Sequence, residues 1–289
     1  MANTAITSNG KRVRRAFVTG ASTGIGRAAV ERLVAGGWHV FASVRKAADA
    51  ATLAGACGDR VTPLLFDVTD LPAVRAAGAQ VVEQCGADGL AAIVNNAGMA
   101  VAGPLEFLPP EELRHQLDVN VVGQVAVTQA VMPALRKARG RIVMIGSIAG
   151  RSALPFTGAY SASKFALEAI TDAWRIELAP WGIDVVVIEP GAIATPIWET
   201  GTKYAQRVLE RVSPEVTEYY GPALEGMKRR AARGISGLPA DDVAKVIERA
   251  LTARRPRTRY LISARKRLWL ERLPTRLRDR LVIAGVKRL

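Results

Sequence analysis

The feature that most constrains this chain is its rhythm. Short, nearly continuous apolar runs recur along it, each followed by a longer stretch with helical spacing. The runs read RAFVTG, WHVFASV, VTPLLFDV, LAAIVNNAG, RIVMIGS, IDVVVIEPG and TRYLI. Apolar residues at consecutive positions, rather than at every second one, mark strands buried on both faces. Residues 24–35, 73–84, 111–137 and 161–178 carry their apolar side chains at helical intervals. Such alternation is satisfied by right-handed βαβ crossovers. It predicts an α/β fold, a single Rossmann-type, doubly wound parallel sheet of about seven strands with helices on both faces. Residues 13–263 read as one domain, and residues 1–12 as a flexible arm.

In such a sheet, ligands bind beyond the carboxyl ends of the strands. The first of these ends reads TGASTGIG over residues 19–26 and leads into a helix. Gly20, Gly24 and Gly26 permit a tight turn. They also let the backbone of Ser22, Thr23 and Ile25 approach a pyrophosphate at the helix N-terminus. The spacing is GxxxGxG, not the commoner GxGxxG. At the end of the second strand, an acid would bind the ribose hydroxyls of NAD, whereas an arginine suits the 2′-phosphate of NADP. Here Val44 and Arg45 stand at that position with no acid, so NADP(H) is the expected cofactor and NAD(H) the open alternative. Asp67 and Val68 end the third strand, where a carboxylate can accept from an adenine amino group. Asn96, Ala97 and Gly98 end the fourth, where small residues let the chain pass close to a ligand.

Ser147 ends the fifth strand, and Tyr160 and Lys164 stand four apart on the following helix, sharing a face. A free tyrosine, with a pKa of about 10, is a poor base near neutrality. A nearby ammonium and a positive nicotinamide ring would favour its phenolate. Tyr160 then takes a proton from an alcohol or gives one to a carbonyl, while Ser147 holds the reacting oxygen. A Tyr-x-x-x-Lys pair is ordinary on helix surfaces; the signal is its place beside a dinucleotide-binding sheet.

Residues 192–238 interrupt the rhythm with glycines and prolines and read as a lid. Ile197, Trp198, Tyr204, Val208, Leu209, Val212, Tyr219, Tyr220, Leu224 and Met227 lie in this segment. With Ala149, Leu154 and Phe156 they suggest an apolar substrate pocket in which Trp198 joins Ser147 and Tyr160. The alternative is that half of them pack the lid itself.

The formal charge of +14 raises a nucleic-acid reading, which its distribution opposes. Thirteen basic and two acidic residues fall between Arg254 and Leu289, so the tail holds eleven of the fourteen net charges. No nucleic-acid motif accompanies them. Leu270, Leu273, Leu277 and Leu281 form a stripe beside Arg272, Arg276 and Arg280, and Pro274 fits a first helical turn. Residues 264–289 therefore read as a basic amphipathic extension, lying either on an anionic membrane surface or against the protein. Cys57 and Cys85 form no redox or metal motif, and His39 and His115 lie in unrelated segments, so no metal is expected. No signal peptide or spanning stretch is legible, so the expected location is cytoplasmic, with membrane association through the tail left open.

Together these motifs resemble the short-chain dehydrogenase/reductase family, over roughly residues 14–262. They are TGASTGIG, FDVTD at 66–70, NNAG at 95–98, the Asn120 of DVNVVG, Ser147, YSASK at 160–164 and EPGAIAT at 189–195. The resemblance implies a catalytic tetrad of Asn120, Ser147, Tyr160 and Lys164. In it the Asn helps place a water that links the Lys to a proton relay. It also implies that Lys164 binds the nicotinamide ribose, that Pro190 and Gly191 line the nicotinamide, and that Thr195 contacts its carboxamide or the pyrophosphate. The pattern is similar to hydroxysteroid and retinol dehydrogenase-like, NADP-preferring members. It implies a lipophilic alcohol/ketone pair and a homodimer or homotetramer through the helices around 111–137 and 161–178. One departure is Thr23, where many NADP-preferring members carry a basic residue. A catalytically silent cofactor-binding scaffold, or a membrane-surface protein retaining the fold, would share the same motifs.

Overall fold

In the computed structural model, which describes residues 13–209, 214–232, 237–263 and 265–286, consecutive strand residues face opposite sides of one sheet. The strands are β1 (Arg15–Val18), β2 (His39–Val44), β3 (Val61–Leu65), β4 (Ala92–Asn95), β5 (Arg141–Ile145), β6 (Asp184–Pro190), β7 (Ile193–Ala194), β8 (Leu238–Pro239) and β9 (Arg259–Ile262). The helices are α1 (Gly24–Ala35), α2 (Ala47–Cys57), α3 (Leu71–Cys85), α4 (Pro110–Leu117), α5 (Gly123–Ala138), α6 (Gly158–Glu177), α7 (Ile197–Leu209), α8 (Glu215–Ala232), α9 (Ala240–Thr252), α10 (Arg265–Leu270) and α11 (Thr275–Val286).

The main sheet has seven parallel strands in the order β3-β2-β1-β4-β5-β6-β9. Ala16 and Val18 join a core with Val30 and Leu33 of α1 and Val243 and Ile247 of α9. Phe17, between them, joins the opposite core with Val81 of α3, Val131 of α5 and Leu167 of α6. Both faces are therefore covered, which is why the strands read as unbroken apolar runs. The strand order reverses at β1, between β2 and β4, and this opens a crevice at the carboxyl edge.

Close approach at that crevice depends on glycine. Gly20 has φ +65°, and a Cβ there would lie 2.8 Å from the Ala97 Cα. A Cβ at Gly26 would lie 2.2 Å from the Gly20 carbonyl oxygen, so only glycine lets α1 pack against its own turn.

Two expectations change. The stretch 111–137 is not one regular helix: α4 passes through a π-helical turn, Asp118–Val122, before α5. The tail is two helices, not one stripe. Leu273 precedes Pro274, and a residue before proline is disfavoured in helix, so α10 ends and α11 restarts with the Pro274 carbonyl accepting from Leu277 and Arg278. Trp269, Leu277, Leu281 and Ile283 stay exposed. No helix among the described residues is long and apolar enough to cross a membrane. The segment 192–238 holds α7 and α8, rooted by the β7–β8 pair. The Tyr220 hydroxyl donates to Glu106 at 2.7 Å, and Tyr204 donates to Glu112. Some of the expected pocket residues make other contacts: Tyr220 packs on Phe107 and Phe156, while Tyr219 stacks on Phe107. The arm at 1–12, Val212, and the side chains of Trp198, Leu209 and Met227 lie outside the described residues.

Gly26→Ala is expected to cost about 1–3 kcal/mol of stability through overpacking. Gly55→Ala, in α2 with nothing within 4 Å of the added methyl, should gain about 0.5–1 kcal/mol. Urea denaturation of the two variants checks the contrast; a Gly26→Ala protein as stable as the parent would refute the close approach.

Candidate active site

The strand ends build one cleft of about 470 Å³. On its dinucleotide side, Gly20, Ser22, Thr23, Gly24 and Ile25 line it together with Val44, Arg45, Asp67, Val68, Asn96, Ala97 and Gly98. Thr23 precedes α1 in extended backbone and makes no side-chain cap, so the first N–H groups of the helix have no cap from that residue. An uncapped N-terminus facing a cleft suits an anionic phosphate. The sequence reading missed Thr19, whose hydroxyl accepts from the Asn96 and Ala97 N–H groups at 2.9 Å. The Asn96 side chain donates back to the Thr19 and Gly20 carbonyls at 2.9 and 3.0 Å. Thus β4 clamps the glycine turn before any ligand enters. Gly26 does not line the cleft; its place is the helix contact described above.

Arg45 is exposed at the end of β2, with a long ion pair to Asp67, 3.7 Å away, as its one side-chain contact among the described residues. A pair so exposed contributes little and leaves the guanidinium available. Burial alone would raise the Asp67 carboxyl, but hydrogen bonds from the Thr69 N–H and hydroxyl, with the Arg45 charge, hold it below its usual range. A dinucleotide therefore fits the groups present: an open helix N-terminus and an exposed arginine as donors, and an ionised carboxylate as acceptor.

On the reacting side, Ser147, Tyr160, Lys164, Pro190, Gly191 and Thr195 line the same cleft. Tyr160 and Lys164 are buried on one face of α6, with 6% and 4% exposure. The Lys164 ammonium donates to the Ile145 carbonyl at 2.8 Å and lies 5.7 Å from the centre of the Tyr160 ring. Burial pulls Lys164 down to about 8, with Glu168 one turn on pulling the other way. For Tyr160 the expected direction is reversed: burial pushes the phenol up, while a hydrogen bond with Ser147 and the Arg267 charge pull it down. Desolvation penalises the phenolate, and the Lys164 ammonium is engaged by the Ile145 carbonyl.

Asn120 is wholly buried in the π-helical turn and does not line the cleft. Its side chain donates to the Met99 carbonyl and to the Ser163 hydroxyl, each at 3.0 Å, and accepts from the Met99 N–H at 2.8 Å. It fastens the segment after β4 to α6, and no side-chain signal in the sequence indicates this arrangement.

Above Tyr160, Ala100, Ala149 and Ile197 form an apolar cluster with its ring. Thr200, Gly201, Tyr204 and Arg207 of α7 also line the cleft. His115 also lines the cleft and was not singled out as a ligand group from sequence.

The short chain dehydrogenase family model matches residues 14–205. The chain is 36% identical over 285 residues to the NADPH-dependent 3-dehydrocapnine reductase of Ornithobacterium rhinotracheale, covering 96% of this chain and 99% of that one. It is 37% identical over 275 residues to retinol dehydrogenase 5 of Mus musculus, covering 91% and 86%. A short chain dehydrogenase from Burkholderia cenocepacia J2315, solved in complex with NADP, superposes with a TM-score of 0.70 at 26% identity, covering 94% and 96%. With a parallel sheet, a glycine turn and a Ser-Tyr-Lys cluster in one cleft, this chain belongs to the short-chain dehydrogenase family of oxidoreductases.

Proposed function

We propose that the chain is an NADP(H)-dependent oxidoreductase that interconverts a lipophilic alcohol and its ketone, with Tyr160 as general acid and base. The observation that carries this reading is the convergence of Ser147, Tyr160 and Lys164 on the cleft that also receives the uncapped end of α1.

When bound, the nicotinamide supplies or accepts the hydride at the substrate carbon. The chain's own residues manage the proton. In reduction the Tyr160 hydroxyl donates its proton to the carbonyl oxygen as negative charge grows there; in oxidation the phenolate takes the alcohol proton. Burial favours the neutral phenol, so the free site starts in the form that reduction needs. Ser147 hydrogen-bonds the reacting oxygen and orients it toward Tyr160. Lys164 carries a proton at Nζ, and a pKa of about 8 lets it release and regain that proton near neutrality. Asn120 acts through position, holding the Met99 segment and α6 in register.

Arg45, the missing acid at the end of β2, the NADPH-dependent relative and the NADP-bound neighbour support NADP(H). The cluster of Ala100, Ala149 and Ile197 beside Tyr160, and the retinol dehydrogenase relative, support a lipophilic substrate.

Tyr160→Phe should lower kcat by about a hundredfold or more while NADPH binding is kept. A near-normal rate in steady-state NADPH oxidation would remove Tyr160 from the chemistry. Val44→Asp or Arg45→Ala should shift preference toward NADH. Paired titrations with NADPH and NADH check this; tighter NADH binding by the unmutated protein would end the NADP(H) reading.

A further inference from the structure

The C-terminal extension does not simply trail from the sheet. Helix α10 brings Arg267 back onto the loop that begins at Ser147: its Nε donates to the Ser152 hydroxyl at 3.2 Å and its Nη2 to the Ser152 carbonyl at 2.5 Å. Ser152 is itself buried, five residues beyond the serine that hydrogen-bonds Tyr160. Arg267 and Tyr160 are close enough for each charge to shift the other's protonation.

This guanidinium is incompletely satisfied. Its Nη1 makes no hydrogen bond among the described residues, and no ion pair forms on it there. The carboxylate that influences it most, Glu271, is engaged by Arg278 at 2.9 Å. This half-buried cation is anchored by two neutral contacts, and the carboxylate that acts on it is already hydrogen-bonded by Arg278, so part of its N–H fork stays open to an anion. The fork geometry of arginine suits a carboxylate or a similar oxyanion, which can take two N–H groups side by side.

We propose that Arg267 is a substrate-recognition residue that binds an oxyanion carried by the substrate a few bonds from its reacting carbonyl, an inference that rests on the carbonyl reduction assigned above. The lipophilic part of such a molecule would lie along Ala149 and Ile197, and its anionic group beneath α10. The extension thereby selects amphiphilic keto acids over neutral ketones of the same length.

The test uses the full chain with NADPH and two probes, 4-oxododecanoate and its methyl ester, which differ in the charge and by one methyl group. The unmutated protein should reduce the acid with a kcat/KM about tenfold or more above the ester. Arg267→Met should erase that preference by lowering the acid alone, and Arg267→Lys should restore part of it. Equal turnover of acid and ester by the parent, or equal loss of both in Arg267→Met, would overturn the proposal. Calorimetric binding of the two probes to the NADPH complex separates the two readings. If the acid binds more tightly than the ester and Arg267→Met abolishes the difference, the anion site stands even where neither probe is reduced, and only the redox assignment falls. If neither binding nor turnover distinguishes the probes, the anion site falls.

Discussion

Two ionisable side chains, Tyr160 and Lys164, are almost wholly buried at the carboxyl edge of the sheet, and the character of the site follows from that burial. Desolvation disfavours the charged form of each, so it pushes the phenol up and the ammonium down. Lowering Lys164 from 10.5 to about 8 corresponds to roughly 3 kcal/mol. That cost is present below the folded value, where lysine is charged in both states, and disappears as pH rises toward 10.5. The fold accepts a less stable cation in order to keep a labile proton beside a neutral acid. The Ile145 carbonyl satisfies one N–H of the ammonium, and Ser147 satisfies the phenol, so neither group is buried without a partner.

The surroundings maintain this arrangement through a second buried network. Glu168, one turn beyond Lys164, is pushed up to about 7 by burial and by the neighbouring Glu189, against the pull of Arg259. Arg259, on edge strand β9, donates to Glu168, to Glu189 at 3.0 Å and to both oxygens of Asp172 at 3.0 Å. One guanidinium therefore fastens the last strand to β6 and to the helix that carries Tyr160. Losing Arg259 is expensive, since it leaves the buried Glu168 and Glu189 uncompensated. The edge strand, far along the chain from Tyr160, is in this way part of what holds it.

Most of the architecture was legible because it rests on local spacing. The apolar runs are continuous because α1 and α9 cover one face and α3, α5 and α6 the other. The motif residues fall at strand ends because a parallel sheet has one carboxyl edge. What escaped the sequence reading depends on contacts between distant segments. The π-helical turn around Asn120 has no composition of its own, and its amide is spent on Met99 and Ser163 instead of facing the cleft. The burial of Tyr160 pushes its phenol up in the free site, which spacing on a helix cannot reveal. The approach of Arg267 to Ser152 spans 115 residues. The start of α11 was legible in Pro274, which fits a first helical turn, whereas the break from α10 was hidden by the leucine stripe that runs across it.

The most direct measurement is the titration of the Lys164 side chain in the free protein by carbon-13 NMR of labelled lysine, assigned by the signal lost in Lys164→Met. The account predicts an apparent pKa near 8, set apart from the exposed lysines. A Lys164 that titrates with them, above 10, would contradict the claim that burial sets the protonation state of this site.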